Sequence, residues 1–217
     1  MSDPRSYHHG NLRQRLLEVA LELAQEVGPE RLSLREVARR LGVAPSAPYR
    51  HFPSRRSLLT AVAEEATARL NIGMVQGAAA HRGEGLVQLQ AIGEAYLDWA
   101  QHNAMHFRVV SARDQIDYAA SPGMAARNEE LRLLTVQALQ TAQHKGQSGP
   151  HDPEALAVLA RATVYGLARM QQDGHFAQWG VPADEGWATA RQLLGLFVSL
   201  IRTGQVDPAD PPAAKPG

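Results

Sequence analysis

Ser33-Leu34-Arg35-Glu36-Val37-Ala38-Arg39-Arg40-Leu41-Gly42-Val43-Ala44-Pro45-Ser46-Ala47-Pro48-Tyr49-Arg50-His51-Phe52-Pro53-Ser54-Arg55 is the stretch that decides the fold. It reads as two short helices around a tight glycine turn, followed by the start of a third. Ser33 with Glu36 has the spacing of a capping box, and Leu32 with Val37 that of a hydrophobic staple, so a helix is expected to begin here. Leu34, Val37, Ala38 and Leu41 then share an inward face, which leaves Arg35, Arg39 and Arg40 outside. Gly42 supplies the positive φ of a tight exit, and Val43 is expected as a buried plug. The second helix is expected to be short, about eight residues from Pro45 to Phe52. Pro53-Ser54 caps a long helix from Arg55 to about Ala80, with Leu58, Val62, Ala66 and Leu70 on one stripe. Including Arg56, the stretch holds six arginines against one acid, Glu36.

Upstream, Asn11 is placed to cap a helix whose face carries Leu16, Ala20, Leu23 and Val27, stopped by Gly28-Pro29. Residues 1–10 read as a flexible polar arm. Beyond Gly83 the helices lengthen and their apolar faces widen. They are expected over 85–102, 103–111, Pro122 to about His144, and Asp152-Pro153 to Gln172, with the last opening at Asp184. Residues 112–122 and 145–150 read as loops, and the Pro-rich 206–217 as a disordered tail. No strand pattern and no internal repeat is present. The fold class is therefore all-α: an N-terminal three-helix helix-turn-helix head (11–70), joined by a long helix to a C-terminal helical domain (71–205).

The chain has 217 residues and no cysteine, which excludes disulfides and thiolate metal sites and fits a reducing cytoplasm. No apolar run approaches a membrane span, and residues 1–7 lack the apolar core of a signal peptide. A zero net charge conceals an asymmetry. Residues 1–70 carry 11 arginines against 8 acids, and the remainder 11 basic residues against 14 acids. A basic N-terminal part is the electrostatic footprint expected of a nucleic-acid partner. Composition alone fits a merely solvated basic face. The ordered glycine turn, the short second helix and the placed Tyr49 and His51 favour DNA.

Leu34 to Val43, Tyr49-Arg50-His51-Phe52-Pro53-Ser54-Arg55 and Leu58-Leu59 together resemble the TetR family of bacterial transcriptional regulators, as does the opening Tyr7-His8-His9-Gly10-Asn11-Leu12-Arg13. The resemblance covers residues 7–70. In a helix-turn-helix the second helix enters the major groove with its N-terminal residues at the base edges, here Ala44, Pro45, Ser46 and Ala47. Ser46 alone of these has a hydrogen-bonding side chain; the others offer apolar contacts such as those to thymine methyls. Arg50 is the residue best able to read guanine. The resemblance gives Tyr49 and His51 a phosphate-binding role, and Arg55 matches a family lysine that supports the backbone contact. Ser33 and Arg35, near a helix N-terminus, are candidates for the flanking phosphates. Pro48 departs from a common family leucine and removes a helical hydrogen bond.

The C-terminal resemblance is weaker. Ala162 to Ala168 with Asp173-Gly174 is similar to a sub-group with a Trp/His/Gly signature, although Tyr165 and Arg161 replace two of its residues. It implies that helices near 153–173 and 184–202 pair with a second copy as a four-helix bundle. The last helix is apolar on more than one side (Leu193, Leu194, Leu196, Phe197, Val198, Leu200, Ile201), which calls for a further partner. A mainly apolar small effector is expected among Met74, Tyr96, Trp99, Phe107, Tyr118, Met124, Tyr165 and Met170, although each alone fits ordinary core packing. His102 and His106 have metal-ligand spacing without a third ligand, so no metal and no cofactor is expected. No P-loop, Rossmann fingerprint or nucleophile elbow is present, which argues against an enzyme. The expected partners are a double-stranded operator, a second copy and the effector, with no membrane, in a cytoplasmic, nucleoid-associated protein acting most simply as a repressor.

Overall fold

In the computed structural model the described residues are 9–203, with side chains described for 12–202. The arm up to residue 8 and the tail from 206 lie outside them. Nine α-helices are described: α1 (His9–Val27), α2 (Leu34–Leu41), α3 (Arg55–Ala80), α4 (Leu86–His102), α5 (Ala104–Ser111), α6 (Pro122–His144), α7 (Pro153–Gln172), α8 (His175–Gln178) and α9 (Gly186–Thr203). Two 3₁₀ turns, Pro29–Arg31 and Pro48–Arg50, complete the order, and no strand occurs among the described residues. The all-α reading holds.

The helix ends show how local sequence sets the boundaries. Gly42 closes α2 at φ 67°, ψ 30°, where a Cβ would be strained. Ser54 caps α3 through a reciprocal pair: the Ser57 amide donates to Ser54 Oγ (3.1 Å), and the Ser54 amide donates to Ser57 Oγ (3.0 Å). Asp152 caps α7 by accepting from the Glu154 amide at 3.1 Å. The Ser33–Glu36 capping box is not formed. Ser33 stands at the N-cap with no side-chain hydrogen bond, because Glu36 instead accepts from the Arg39 guanidinium at 2.9 Å. Asn11 lies inside α1, which already begins at His9. Asp184 lies two residues before α9, and the four-residue α8 was not anticipated.

The chain divides into two compact units. Of the described residues, the first joins those up to 72 with 102–129, and the second joins 73–101 with those from 130 onward. The segment 102–129, read in sequence as part of the C-terminal domain, thus packs with the head. Leu16, Leu23, Leu34, Val37, Phe52, Leu58 and Leu59 form one buried cluster with Val109, Ile116 and Met124. Each such fully buried side chain contributes about 1.5–3 kcal/mol relative to exposure. Polar bonds secure the added segment: Arg56 donates to the Ile116 carbonyl (3.1 Å), the Asp117 amide donates to Thr60 Oγ1 (2.9 Å), and Ser121 Oγ donates to Glu64 (2.6 Å). Three expected core residues are less enclosed: Val27, at the end of α1, is 41% exposed, and Leu41 and Val43 are half-buried.

The second unit packs α4 against α7 and α9. At Gly93 a Cβ would come within 2.9 Å of both Leu194 methyls and 3.3 Å of Val164, so a glycine allows the three helices to approach. Leu194, Val198 and Ile201 form the inner stripe of α9. Leu196 (55% exposed) and Leu200 (57%), with Leu193, form an outer stripe, and on α7 Val158, Leu159 and Tyr165 are also exposed.

Candidate nucleic-acid interface

The expected second helix of the helix-turn-helix is instead a turn at 45–47 running into the 3₁₀ turn Pro48–Arg50. Proline chemistry explains the difference. Pro48 has no amide to donate to the preceding turn, and its ring disfavours helical geometry at the residue before it. Ala47 adopts φ −61°, ψ −43° nonetheless, and the bonds that form are mostly of the tighter three-residue kind: Ala47 N to Ala44 O (2.9 Å), Arg50 N to Ala47 O (3.3 Å) and His51 N to Pro48 O (3.0 Å), followed by one α-type bond from Phe52 N to Pro48 O (2.9 Å). Pro48 and Phe52 are buried and fasten the segment to the core of the first unit. Ala44, Pro45, Ser46, Tyr49 and Arg50 are left exposed, Tyr49 by 45%, while Ala47 and His51 are half-buried. Ser33 and Arg35, at the start of α2, are exposed as well.

The six arginines of this stretch separate into three groups. Arg39 is tied to Glu36 and Arg40 to Glu26, the latter through two bonds, one of 2.7 Å. Hydrogen bonding to these guanidinium groups holds the Glu36 and Glu26 carboxyls below the usual carboxylate range, and the carboxylates raise Arg39 and Arg40 in return. Arg55 turns inward, donating to the carbonyls of Pro29 (3.0 Å) and Glu30 and to the side chain of Gln115, and Arg56 donates to Ile116. Of the six, Arg35 and Arg50 have neither an acid partner nor a hydrogen bond among the described residues. The exposed Arg35, Tyr49 and Arg50, with the half-buried His51, therefore present cationic and hydrogen-bonding groups to an anion, with a small apolar surface at 44–47 beside them.

Two matches to family models account for most of the chain. Residues 16–62 match the bacterial regulatory proteins of the tetR family, and residues 89–197 match the tetracyclin repressor-like C-terminal domain. The chain belongs to the TetR family. It is 33% identical over 96 residues to the class D tetracycline repressor protein of Escherichia coli, covering 44% of this chain and 38% of that protein. It is 30% identical over 115 residues to the HTH-type transcriptional activator FasR of Mycolicibacterium smegmatis, covering 53% of this chain and 51% of that one. The chain thus spans about half or less of these curated relatives. Among solved structures, a protein of unknown function from Rhodococcus sp. RHA1 superimposes with a TM-score of 0.72 at 29% identity, over 91% of this chain and 99% of that one. The ketosteroid regulator KstR2 of Mycobacterium tuberculosis shares the fold, with a TM-score of 0.66 at 19% identity over 88% and 94% of the two chains.

As a TetR-family chain, this protein has the regulator architecture rather than that of an enzyme. The eight residues considered for an effector are divided between the units. Phe107, Tyr118 and Met124 belong to the first, where Met124 is part of the buried cluster and Tyr118 packs against it. Met74, Tyr96, Trp99, Tyr165 and Met170 belong to the second. There the Tyr96 and Trp99 rings lie 6.5 Å apart, and Arg161 stacks 4.6 Å above Tyr96 and 5.9 Å from Tyr165. Burial raises the Tyr96 hydroxyl pKa despite the nearby Arg161. The residue that sequence reasoning missed here is Arg161, whose spacing four before Tyr165 on α7 was the available signal. No cluster of three or more metal-ligating side chains occurs among the described residues, and none of their helices is long and apolar enough to cross a membrane.

Proposed function

We propose that this TetR-family chain is a ligand-responsive transcriptional repressor that binds a palindromic operator as a homodimer in the cytoplasm. The observation that carries the reading is the exposure of Arg35, Tyr49 and Arg50, with half-buried His51, around the short turn 44–50. Tyr49, His51, Ser33 and Arg35 hold phosphates. Arg50 reads a base edge, and Ala44, Pro45, Ser46 and Ala47 supply apolar contacts with one hydroxyl. Arg55, turned inward, braces the turn at 29–31 through its bonds to the Pro29 and Glu30 carbonyls. The outer stripes of α7 and α9 support dimerisation, because exposed leucines in register seek a partner surface. Two heads related by a two-fold axis read two half-sites. A small, mainly apolar effector that prefers the non-binding arrangement of the heads would lower operator affinity by its differential binding free energy.

Selection of bound duplexes from a random pool tests this directly. A palindromic consensus is the expected result; retention of all sequences alike would leave only non-specific binding. The relationship to the activator FasR favours a second reading, activation from the same site. Transcription in vitro from a promoter bearing the selected site separates the two by the sign of the response.

A further inference from the structure

We infer that Arg13, on the second turn of α1, is an additional phosphate contact, pre-positioned beside the reading turn by Phe52. Its guanidinium carbon lies 5.4 Å from the centroid of the Phe52 ring, and Phe52 directly follows the 3₁₀ turn and its cap, His51. The His51 and Phe52 ring centroids are 6.4 Å apart. Phe52 is 3% exposed and belongs to the buried cluster, so the ring is a fixed platform. Arg13 itself is exposed. A guanidinium stacked on an aromatic face keeps its donors at the edge, where they suit phosphate oxygens, and loses less rotamer freedom on binding.

Charge pairing elsewhere in the head strengthens the case. Arg39, Arg40 and Arg108 lie against Glu36, Glu26 and Glu30. For Arg13 no carboxylate among the described residues is within ion-pair distance. Among the described residues, Arg13 thus joins Arg35 and Arg50 as a cation with no carboxylate within ion-pair distance. Arg13 precedes the helix-turn-helix stretch, which opens at Ser33, by 20 residues in sequence; stacking on Phe52 brings it to the end of that stretch in space.

The inference rests on the DNA-binding reading, and the experiment separates the two. Affinities of wild type, Arg13→Gln, Arg13→Lys and Arg15→Gln are measured over a salt series, on the selected operator and on an unrelated duplex of equal length. Arg13→Gln should lower the slope of log K against log salt by about one unit. It should weaken both duplexes by the same factor, on the order of tenfold, whereas Arg13→Lys retains the slope and Arg15→Gln keeps it near wild type. Four results overturn the inference: an unchanged slope in Arg13→Gln, an equal loss in Arg15→Gln, a shift in base preference, or unfolding of Arg13→Gln. Absence of DNA binding by wild type removes the functional reading itself, and Arg13 with it.

Discussion

The core around Ile116 in the first unit and the outer face of α9 in the second are both apolar, but they are completed differently. Ile116 is 1% exposed and is enclosed by residues of its own chain. Leu196 and Leu200 are each more than half exposed. The first surface is buried by folding; the second is the face proposed above for dimerisation. The same chemical insult should therefore have different consequences in the two places.

The largest effect is expected at Ile116→Asp, which places an unpaired charge in the core that fastens 109–124 to the head. It should cost about 3–5 kcal/mol, read as a lowered urea midpoint. An unchanged midpoint would show that the segment is not integral to that core. Leu196→Glu combined with Leu200→Glu should instead preserve helical content while the sedimenting species falls to a monomer. A dimer that persists would place self-association on another surface. Gly93→Val is intermediate. The added methyls meet Leu194 and Val164, so a destabilisation of about 1–3 kcal/mol is expected from overpacking, and wild-type stability would mean that the helices can part without penalty.

The smallest effect concerns His106. Burial holds its pKa below the ordinary 6.5, Arg69 pushes it in the same direction, and Glu65 partly opposes them. A histidine whose folded pKa lies below its unfolded value binds fewer protons folded than unfolded. Stability is then constant at higher pH and declines as pH falls below 6.5 towards the folded value. His106→Gln should flatten that part of the stability–pH curve. An identical curve in the variant would assign the slope to other groups.

Much of the fold was legible because its signals are local. Gly42, the Ser54 cap and Asp152-Pro153 fix boundaries by chemistry confined to one turn, and the period of Leu58, Val62, Ala66 and Leu70 marks the buried stripe of α3 without reference to its partner. The failures share a cause as well. Glu36 had two available partners within three residues, the Ser33 amide and Arg39, and spacing does not rank them. Pro48 was recognised as a break in helical bonding, yet how far the backbone would tighten into a 3₁₀ turn depends on burying both its ring and Phe52. At the candidate interface, residue types pointed to Tyr49, Arg50 and His51. They could not reveal that Arg39, Arg40 and Arg55 are engaged within the chain, or that Arg13 stands beside Phe52.

The sequence by itself determined an all-helical TetR-family chain with a glycine-closed reading head and an apolar last helix, because capping, φ preference and helical period act over a few residues. Only the tertiary structure decided that 102–129 completes the core of the head, which arginines remain available to an anion, and which side of α9 stays open. Those outcomes depend on contacts between residues far apart in the chain, where burial and charge pairing are settled by the neighbours that folding supplies.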